Sequence, residues 1–182
     1  MARIPFGVSR FDKVVDGGAP RGTVVLLVDD AGAGAREFMY TSVTMNAAAH
    51  TDEDLFELHY GDLHEDATLP PEVHYISFTD NEETIRKELA YVLDEELVDA
   101  AVEHITVRDL SPEYFQLSPV PRQWYLGETT TLQDLSGGES RPDVLTALGS
   151  YLNDNAFNNL VVIDSITDLV ANLDQDVTVD DV

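Results

Sequence analysis

Short apolar runs recur along the chain and predict the buried strands of a parallel β-sheet. The runs are residues 23–28 (TVVLLV), 73–78 (VHYISF), 103–107 (EHITV) and 160–163 (LVVI). Each is about as long as one strand. Most of them are apolar at successive positions rather than at alternate ones, which is typical of strands that helices cover on both faces.

Between these runs, nonpolar positions recur every three or four residues, which predicts amphipathic helices. The positions that share one helical face are Phe38, Ser42, Met45 and Ala49; Ile85, Leu89, Val92 and Leu93; and Val144, Leu145, Leu148 and Leu152. Thr79 and Glu82 have the spacing of a capping box for the second helix, and Pro142 is compatible with the first turn of the third. Strands that alternate with helices predict an α/β fold with right-handed crossovers.

Two segments follow neither period. Residues 51–71 are acidic and have no long apolar period, so we expect a surface excursion. Residues 108–140 contain prolines and glycines, and we interpret them as a long loop that also carries the aromatic residues Tyr114, Phe115, Trp124 and Tyr125. Loops of this length in compact domains often carry function, but the alternative that these aromatic side chains fold back onto the core is the favoured one. We expect residues 1–182 to form a single domain.

The formal net charge of −25 changes the picture of the surface. Lysine occurs only at Lys13 and Lys87, and the chain has no cysteine. A hydrophobic content of 43% argues against an acidic disordered chain and favours a surface adapted to very high salt, which screens its self-repulsion. DNA binding is not expected without clustered Lys and Arg. Because we find neither a signal-peptide core nor a run long enough to span a bilayer, we expect a cytoplasmic protein.

A glycine-containing stretch, VDDAGAGAREF, lies between the first predicted strand and the first predicted helix. A phosphate loop with the pattern G-x-x-x-x-G-K-[ST] occupies this position in nucleotide-binding proteins, where its backbone N–H groups and the helix N-terminus bind phosphate. Here the first glycine is replaced by Asp29, the lysine by Ala35 and the hydroxyl residue by Arg36. The candidate phosphate-binding residues are Asp30, Ala31, Gly32, Ala33, Gly34, Ala35, Arg36 and Glu37.

Three stretches have a characteristic spacing of glycine, aspartate and aromatic residues. They are FGVSRFDKVVDGGAPRGTVVLLVDDAGAGAREF, with Phe6, Gly7, Asp12, Gly17, Gly18, Pro20 and Gly22 in step; NNLVVIDSITDL; and VHYISFTDNEE. Together they resemble KaiC-like members of the RecA superfamily of ATPases. With its acidic composition, the chain is similar to the RecA-superfamily proteins of halophilic archaea that are described as signal-transduction ATPases or HTR-like proteins.

The resemblance implies a RecA-like P-loop NTPase fold, a three-layer sandwich with a mostly parallel central sheet. It implies that Asp164 is the magnesium-side carboxylate of a Walker B strand and that Ser165 is the hydroxyl after it. Thr79 and Asp80 stand where the family has its catalytic acidic pair. RecA-like cores continue beyond Walker B, so we expect the last strand or strands to be missing, through truncation or loss. The uncovered edge of residues 23–28 would then favour self-association.

The departures from the motif predict a weakened nucleotide site. Loss of the lysine at position 35 removes a contact to a charged group, which contributes about 1.5–3 kcal/mol. Losing the magnesium hydroxyl and one of two acidic residues as well makes efficient ATP hydrolysis improbable. We therefore expect a non-hydrolysing regulatory or signal-transduction protein that binds protein partners. The alternatives are a weak ATP–Mg binder or ATPase that uses Arg36 and Asp164, and, by superfamily alone, DNA recombination or repair.

Arg36 has two interpretations. Its guanidinium could bind a phosphate group in place of the missing cation. Alternatively, it forms an internal ion pair with Asp29, Asp30 or Asp80, since a cation near a helix N-terminus requires acidic neighbours.

Histidines and carboxylates suggest other chemistry, but each suggestion has a simpler explanation. His59 and His64, in HYGDLHED, could bind zinc or nickel, although such residues in an acidic loop are usually only solvated. We expect His74 and His104 to pack within strands. A hydrolase triad built on Asp164 and Ser165 lacks the G-x-S-x-G turn such enzymes use. Asp164 could also serve only to cap the turn after its strand.

Overall fold

The computed structural model describes residues 2–30, 32–116, 118, 120 and 142–177. In chain order the elements are β1 (Arg3–Ile4), α1 (Ser9–Val14), β2 (Ala19–Pro20), α2 (Ala35–Ala48), α3 (Glu53–Tyr60), β3 (Val73–Ser77), α4 (Glu82–Val92), α5 (Glu95–Ala101), β4 (Ile105–Asp109), α6 (Ser111–Tyr114), α7 (Val144–Asn155), β5 (Leu160–Asp164) and α8 (Ile166–Val177). A short 3-10 turn, Val102–His104, joins α5 to β4. β1 and β2 form a separate antiparallel pair.

Strand β3 is the centre of a three-stranded parallel sheet in the order β4-β3-β5. Val73 lies opposite Ile105 on one side and opposite Leu160 on the other, and both registers continue to the ends of the strands. All five residues of β3 are buried. The predicted α/β class with a parallel sheet is therefore confirmed for the described part of the chain.

Helices cover both faces of this sheet. Val73 and Tyr75 belong to a core formed with side chains of α2, α3, α4 and α5. Ile76 directly follows Tyr75, so its side chain lies on the opposite face of the strand, and it belongs to a second core formed with α7 and α8. Because successive β3 side chains enter different cores, this strand has to be apolar at successive positions, as its sequence indicates.

The prediction that residues 23–28 form the first strand is wrong. These residues have no regular secondary structure and pair with none of the described strands. Val24 is 98% exposed and Leu26 is 69% exposed. An apolar run forms a strand only where another strand supplies hydrogen-bond partners, and no described strand pairs with this one.

The expected surface excursion, residues 51–71, contains a helix. Asp52 caps α3 by accepting a hydrogen bond from the backbone N–H of Leu55. Phe56 and Tyr60, four residues apart on one face of α3, are buried in the core, and their rings stack at a centroid separation of 4.9 Å. The apolar surface that these two aromatic side chains bury stabilises the helix against the core, although its other residues are mostly acidic.

Element boundaries also differ from the predictions. The strand expected at residues 103–107 is Ile105–Asp109, because the 3-10 turn takes up Glu103 and an exposed His104. α4 is capped by Asn81, whose side chain accepts a hydrogen bond from the N–H of Thr84, and not by the Thr79–Glu82 box. Pro142 precedes the cap of α7, which is Asp143, and therefore lies outside the helix.

Only the beginning of the expected long loop, residues 108–140, lies in the described part of the chain. β4 continues to Asp109 and is followed by α6. Tyr114 packs against the core, with its ring 6.2 Å from that of Phe78. For this residue the interpretation that the aromatic side chains fold back onto the core is confirmed. Trp124 and Tyr125 lie outside the described residues.

A buried carboxylate fixes the N-terminal segment to the rest of the fold. Asp12, 1% exposed, accepts hydrogen bonds from the backbone N–H of Phe6 at 2.8 Å and from the hydroxyl of Tyr60 at 3.0 Å. Burial raises the pKa of Asp12, although these hydrogen bonds oppose the shift. An aspartate that the family resemblance placed in a motif therefore has a structural role in this chain.

Candidate functional site

The candidate phosphate loop leads directly into α2. Gly32 and Gly34 have φ values of 84° and 94°, which favour glycine, and Gly34 immediately precedes the helix. The N–H of Ala33 donates to the carbonyl of Asp30 at 2.9 Å, which forms a turn between the two. Glycine-dependent turns of this kind direct backbone N–H groups of the loop and helix outward, as an anion-binding site requires.

Asp29 occupies part of this N-terminal site. Its Oδ2 accepts a hydrogen bond from the backbone N–H of Ala35, the first residue of α2, at 3.3 Å. A carboxylate at this place satisfies an unpaired donor of the helix and complements the helix dipole. In this chain an internal carboxylate therefore takes one donor that a bound phosphate would use.

Arg36, one residue further along α2, joins three carboxylates from other elements. Its Nε lies 3.0 Å from Oδ2 of Asp164 at the end of β5. Its Nη1 lies 3.7 Å from Oδ2 of Asp80 and 3.6 Å from Oε2 of Glu88 in α4. We call these four side chains the Arg36 cluster. Of the two interpretations of Arg36, the described structure has the internal ion pair, with Asp80 and two further carboxylates as its partners.

Two tyrosine hydroxyls donate hydrogen bonds to carboxylates of the Arg36 cluster. Tyr75 donates to Oδ2 of Asp164 at 2.6 Å, so one carboxylate oxygen interacts with both a guanidinium and a phenol. Tyr40, one turn after Arg36 on α2, donates to Oε2 of Glu88. The two tyrosine rings are 5.6 Å apart. Together with these two tyrosines, the Arg36 cluster connects α2, α4, β3 and β5 at the carboxyl end of the sheet.

Burial and mutual contact shift the proton affinities of these groups. Burial raises the pKa of Asp164, which is 4% exposed, while the hydrogen bond from Tyr75 and the charge of Arg36 oppose that shift. Burial and the adjacent Asp164 raise the pKa of Tyr75, and burial with the bond to Glu88 raises that of Tyr40. Both tyrosines are therefore neutral hydrogen-bond donors at physiological pH.

The remaining predicted site residues do not share one arrangement with the Arg36 cluster. Asp80 is positioned by its backbone N–H, which donates to Oγ of Ser77 at 3.0 Å. Ser165 is directed away from the cluster: its Oγ donates to Asp168 at 2.7 Å and accepts the N–H of that residue, at the start of α8. Glu37 is exposed on the first turn of α2. Ala31 lies outside the described residues.

The described residues do not assemble a metal site from histidine and carboxylates. Within residues 2–116 and 142–171, excepting those left undescribed, no group of three or more His, Asp or Glu side chains is arranged to hold an ion. Nδ1 of His64 instead accepts the N–H of Asp66 at 3.3 Å. At Asp164, the candidate magnesium ligand, Arg36 supplies the neighbouring positive charge.

Three members of the site were not predicted from the sequence: Glu88, Tyr40 and Tyr75. Tyr75 could have been suspected, because a buried tyrosine hydroxyl in a central strand needs a partner and the adjacent strand ends in Asp164. Tyr40 follows Arg36 by one helical turn, so the two share a face. Glu88 had no such signal, since its place depends on how α4 packs against α2.

Comparisons with known proteins identify no relative. Neither protein-family models, nor curated proteins, nor solved structures match the chain. Among the described helices, none combines the length and the apolar character that crossing a membrane requires.

Proposed function

We propose that this chain is a non-hydrolysing domain of RecA/KaiC-like ancestry, in which internal charges replace nucleotide and magnesium, and that it works through protein partners. One observation carries the proposal: Nε of Arg36 lies 3.0 Å from the buried Asp164 carboxylate. By the resemblance to KaiC-like ATPases, Asp164 corresponds to a carboxylate that lies on the side of the magnesium ion. Here a side chain of the same chain supplies the positive charge.

The electrostatics of the loop support the same conclusion. Asp29 takes a helix N-terminal donor, and its negative charge opposes the approach of a polyanion. Burial disfavours the charged form of Arg36, but Asp164 and its other neighbours outweigh burial and raise the pKa of Arg36. The guanidinium is thus committed to internal carboxylates. Capturing a phosphate with Arg36 would require breaking a 3.0 Å pair and leaving Asp164 buried without its cation.

Nucleotide titration tests the proposal directly. The wild type is titrated calorimetrically with ATP in molar KCl, with and without magnesium, and assayed in parallel for phosphate release. We expect neither heat of binding nor hydrolysis. Saturable binding of ATP by the wild type would contradict the proposal.

Two variants separate the proposal from its alternative, a weak ATP binder that uses Arg36. If Arg36→Ala abolishes a binding signal that the wild type has, Arg36 contacts the nucleotide and the alternative is correct. The exposed Arg10→Ala is the matched control, because it removes the same charge far from the loop in sequence. A signal that both variants lose equally would reflect net charge rather than a site.

A further inference from the structure

Helix α1 presents basic and apolar side chains next to each other on the surface. Asp12 is buried, whereas Arg10, Phe11, Lys13 and Val14 are exposed. Residues three apart on a helix are neighbours. Arg10 therefore lies beside Lys13 and forms a basic half of the exposed face. Phe11 lies beside Val14 and forms an apolar half. We call these four exposed side chains the α1 surface.

The apolar half of the α1 surface is held in place by the fold. The ring of Phe11 lies 5.3 Å from that of Phe6 and 5.7 Å from that of Phe38, both in edge-to-face contacts. These contacts still leave Phe11 42% exposed, and Val14 is 80% exposed. The hydrogen bonds that Asp12 accepts fix α1 itself. A surface that is ordered in advance loses little conformational entropy when a partner binds.

The basic half of the α1 surface has no partner in the described part of the chain. Arg10 and Lys13 form neither a hydrogen bond nor an ion pair there, although the chain has 35 Asp and Glu residues. The other described basic residues are all engaged, either by backbone carbonyls or by carboxylates: Arg3, Arg21, Arg36, Arg86, Lys87 and Arg108. The described carboxylates of the chain therefore leave these two cations free for another molecule.

The charge of the N-terminal segment is opposite to that of the whole chain. Residues 1–22 contain four Lys and Arg residues and two Asp residues, a formal charge of +2, whereas the chain as a whole carries −25. One of the two aspartates, Asp12, is buried below α1. The α1 surface is thus a small positive area on a strongly negative molecule, and it attracts an acidic ligand of similarly small size.

We propose that the α1 surface binds a short acidic segment of another protein. Carboxylates of that segment face Arg10 and Lys13, and an aromatic or aliphatic side chain next to them packs on Phe11 and Val14. A long polyanion, such as a nucleic acid or the head groups of a membrane, would extend beyond α1 over the negative remainder of the chain, which repels it. Both halves of the surface are matched only by a peptide that is acidic and apolar together.

Fluorescence anisotropy with a synthetic probe tests the proposal. The probe is a short fluorescein-labelled peptide in which Phe and Leu are flanked by Asp residues, and the wild type is titrated into it in molar KCl. We expect saturable binding. A probe with Asn in place of Asp, and a probe with Ser in place of Phe and Leu, should each bind severalfold more weakly, because each lacks the partner of one half of the surface.

Matched variants assign the binding to the α1 surface. Lys13→Glu should weaken binding of the acidic probe by at least about threefold. Lys87→Glu reverses the charge of the other lysine of the chain, on α4, and should leave binding unchanged. Val14→Ala should also weaken binding, whereas Phe157→Ala, which alters a side chain that is 85% exposed, should not. All four side chains are exposed, so we expect each variant to fold.

The proposal rests on the proposed function in one respect, the dependence on protein partners, and the two fail in different measurements. Binding of ATP by the wild type overturns the proposed function, whereas absence of binding to the acidic probe overturns the α1 surface. The α1 surface is also overturned if the two control variants weaken binding as much as Lys13→Glu and Val14→Ala do. Tighter binding of a single-stranded oligonucleotide or of phosphatidylglycerol vesicles than of the acidic probe would likewise overturn it.

Discussion

Residues 73–77 and residues 23–28 are both short apolar runs that precede a polar turn and a helix, yet only the first is a strand. β3 has a parallel partner on each side and a helical layer on each face, and its five residues are buried. Residues 23–28 have none of these partners among the described residues, and Val24 is almost fully exposed. The comparison shows that apolar character makes a segment able to form a strand, whereas neighbouring strands decide whether it does.

The largest expected effect contrasts one aliphatic residue from each segment. Ile76→Ala removes a fully buried side chain from β3 and should lower the free energy of unfolding by about 2–5 kcal/mol. Leu26→Ala changes an exposed side chain and should alter that free energy by less than about 0.5 kcal/mol. Urea denaturation of dilute protein in molar KCl measures both. Equal losses would mean that residues 23–28 are packed as firmly as β3.

The next largest effect on stability is expected at the carboxyl end of β5, where Arg36 pairs with Asp164. Arg36→Ala leaves Asp164 buried without its cation, and we expect a loss of about 2 kcal/mol, limited by the 41% exposure of the Arg36 side chain. In a double-mutant cycle, Arg36→Ala should cost less when Asp164 is already asparagine. Additive effects of the two substitutions would show that the pair is not coupled. Arg10→Ala is the control for loss of charge.

Tyr75→Phe separates the contribution of a buried ring in β3 from that of its hydroxyl, because it keeps the ring and removes only the hydroxyl. The hydroxyl donates to Asp164 at 2.6 Å, so we expect a loss of about 1 kcal/mol. The same substitution at the exposed Tyr91 should have no measurable effect. A Tyr75→Phe variant as stable as the wild type would place the stabilisation in the ring alone.

The smallest expected effect is a dependence of stability on pH. Burial raises the pKa of Asp12 and of Asp164, so the folded chain binds protons at higher pH than the unfolded chain does. The free energy of unfolding in molar KCl should therefore rise as the pH falls from neutral through the folded-state pKa of these groups, and the gain should be complete below their ordinary values.

Variants assign this pH dependence to the two carboxylates. Asp12→Asn and Asp164→Asn should each reduce the slope of unfolding free energy against pH, whereas Asp54→Asn, on an exposed turn of α3, should not. A slope of opposite sign, with stability falling as these groups become protonated, would show that their ionised forms are the more stable ones in the fold.

Much of the layered core could be predicted from the sequence. The runs of β3 and β5 and the period of α2 are local patterns that tertiary structure reinforces, because the two strands contribute to both cores and α2 contributes to one of them. Residues 23–28 have an equally strong pattern but pair with no strand among the described residues, so the pattern alone could not decide their state. α3 was missed for a related reason, since only packing reveals that Phe56 and Tyr60 anchor an otherwise acidic segment.

The part of the candidate site that lies in the loop before α2 and at the start of that helix could be predicted from the sequence. The replacement of lysine and hydroxyl residues at positions 35 and 36 indicated that Arg36 needs acidic partners, and Asp80 was among those considered. Asp164 entered the site through the family resemblance, not as a partner of Arg36. Glu88 could not be anticipated, because it approaches Arg36 from α4, and the distance between two helices is a property of packing rather than of local sequence.

Restoring the phosphate loop tests most directly the claim that internal charges have replaced nucleotide and cation. Asp29→Gly, Ala35→Lys and Arg36→Thr together recreate the pattern G-x-x-x-x-G-K-T at residues 29–36. Calorimetric titration with ATP and magnesium in molar KCl should show binding by the triple variant and none by the wild type. Binding by the wild type as tight as that of the triple variant, or no binding by a folded triple variant, would contradict the account.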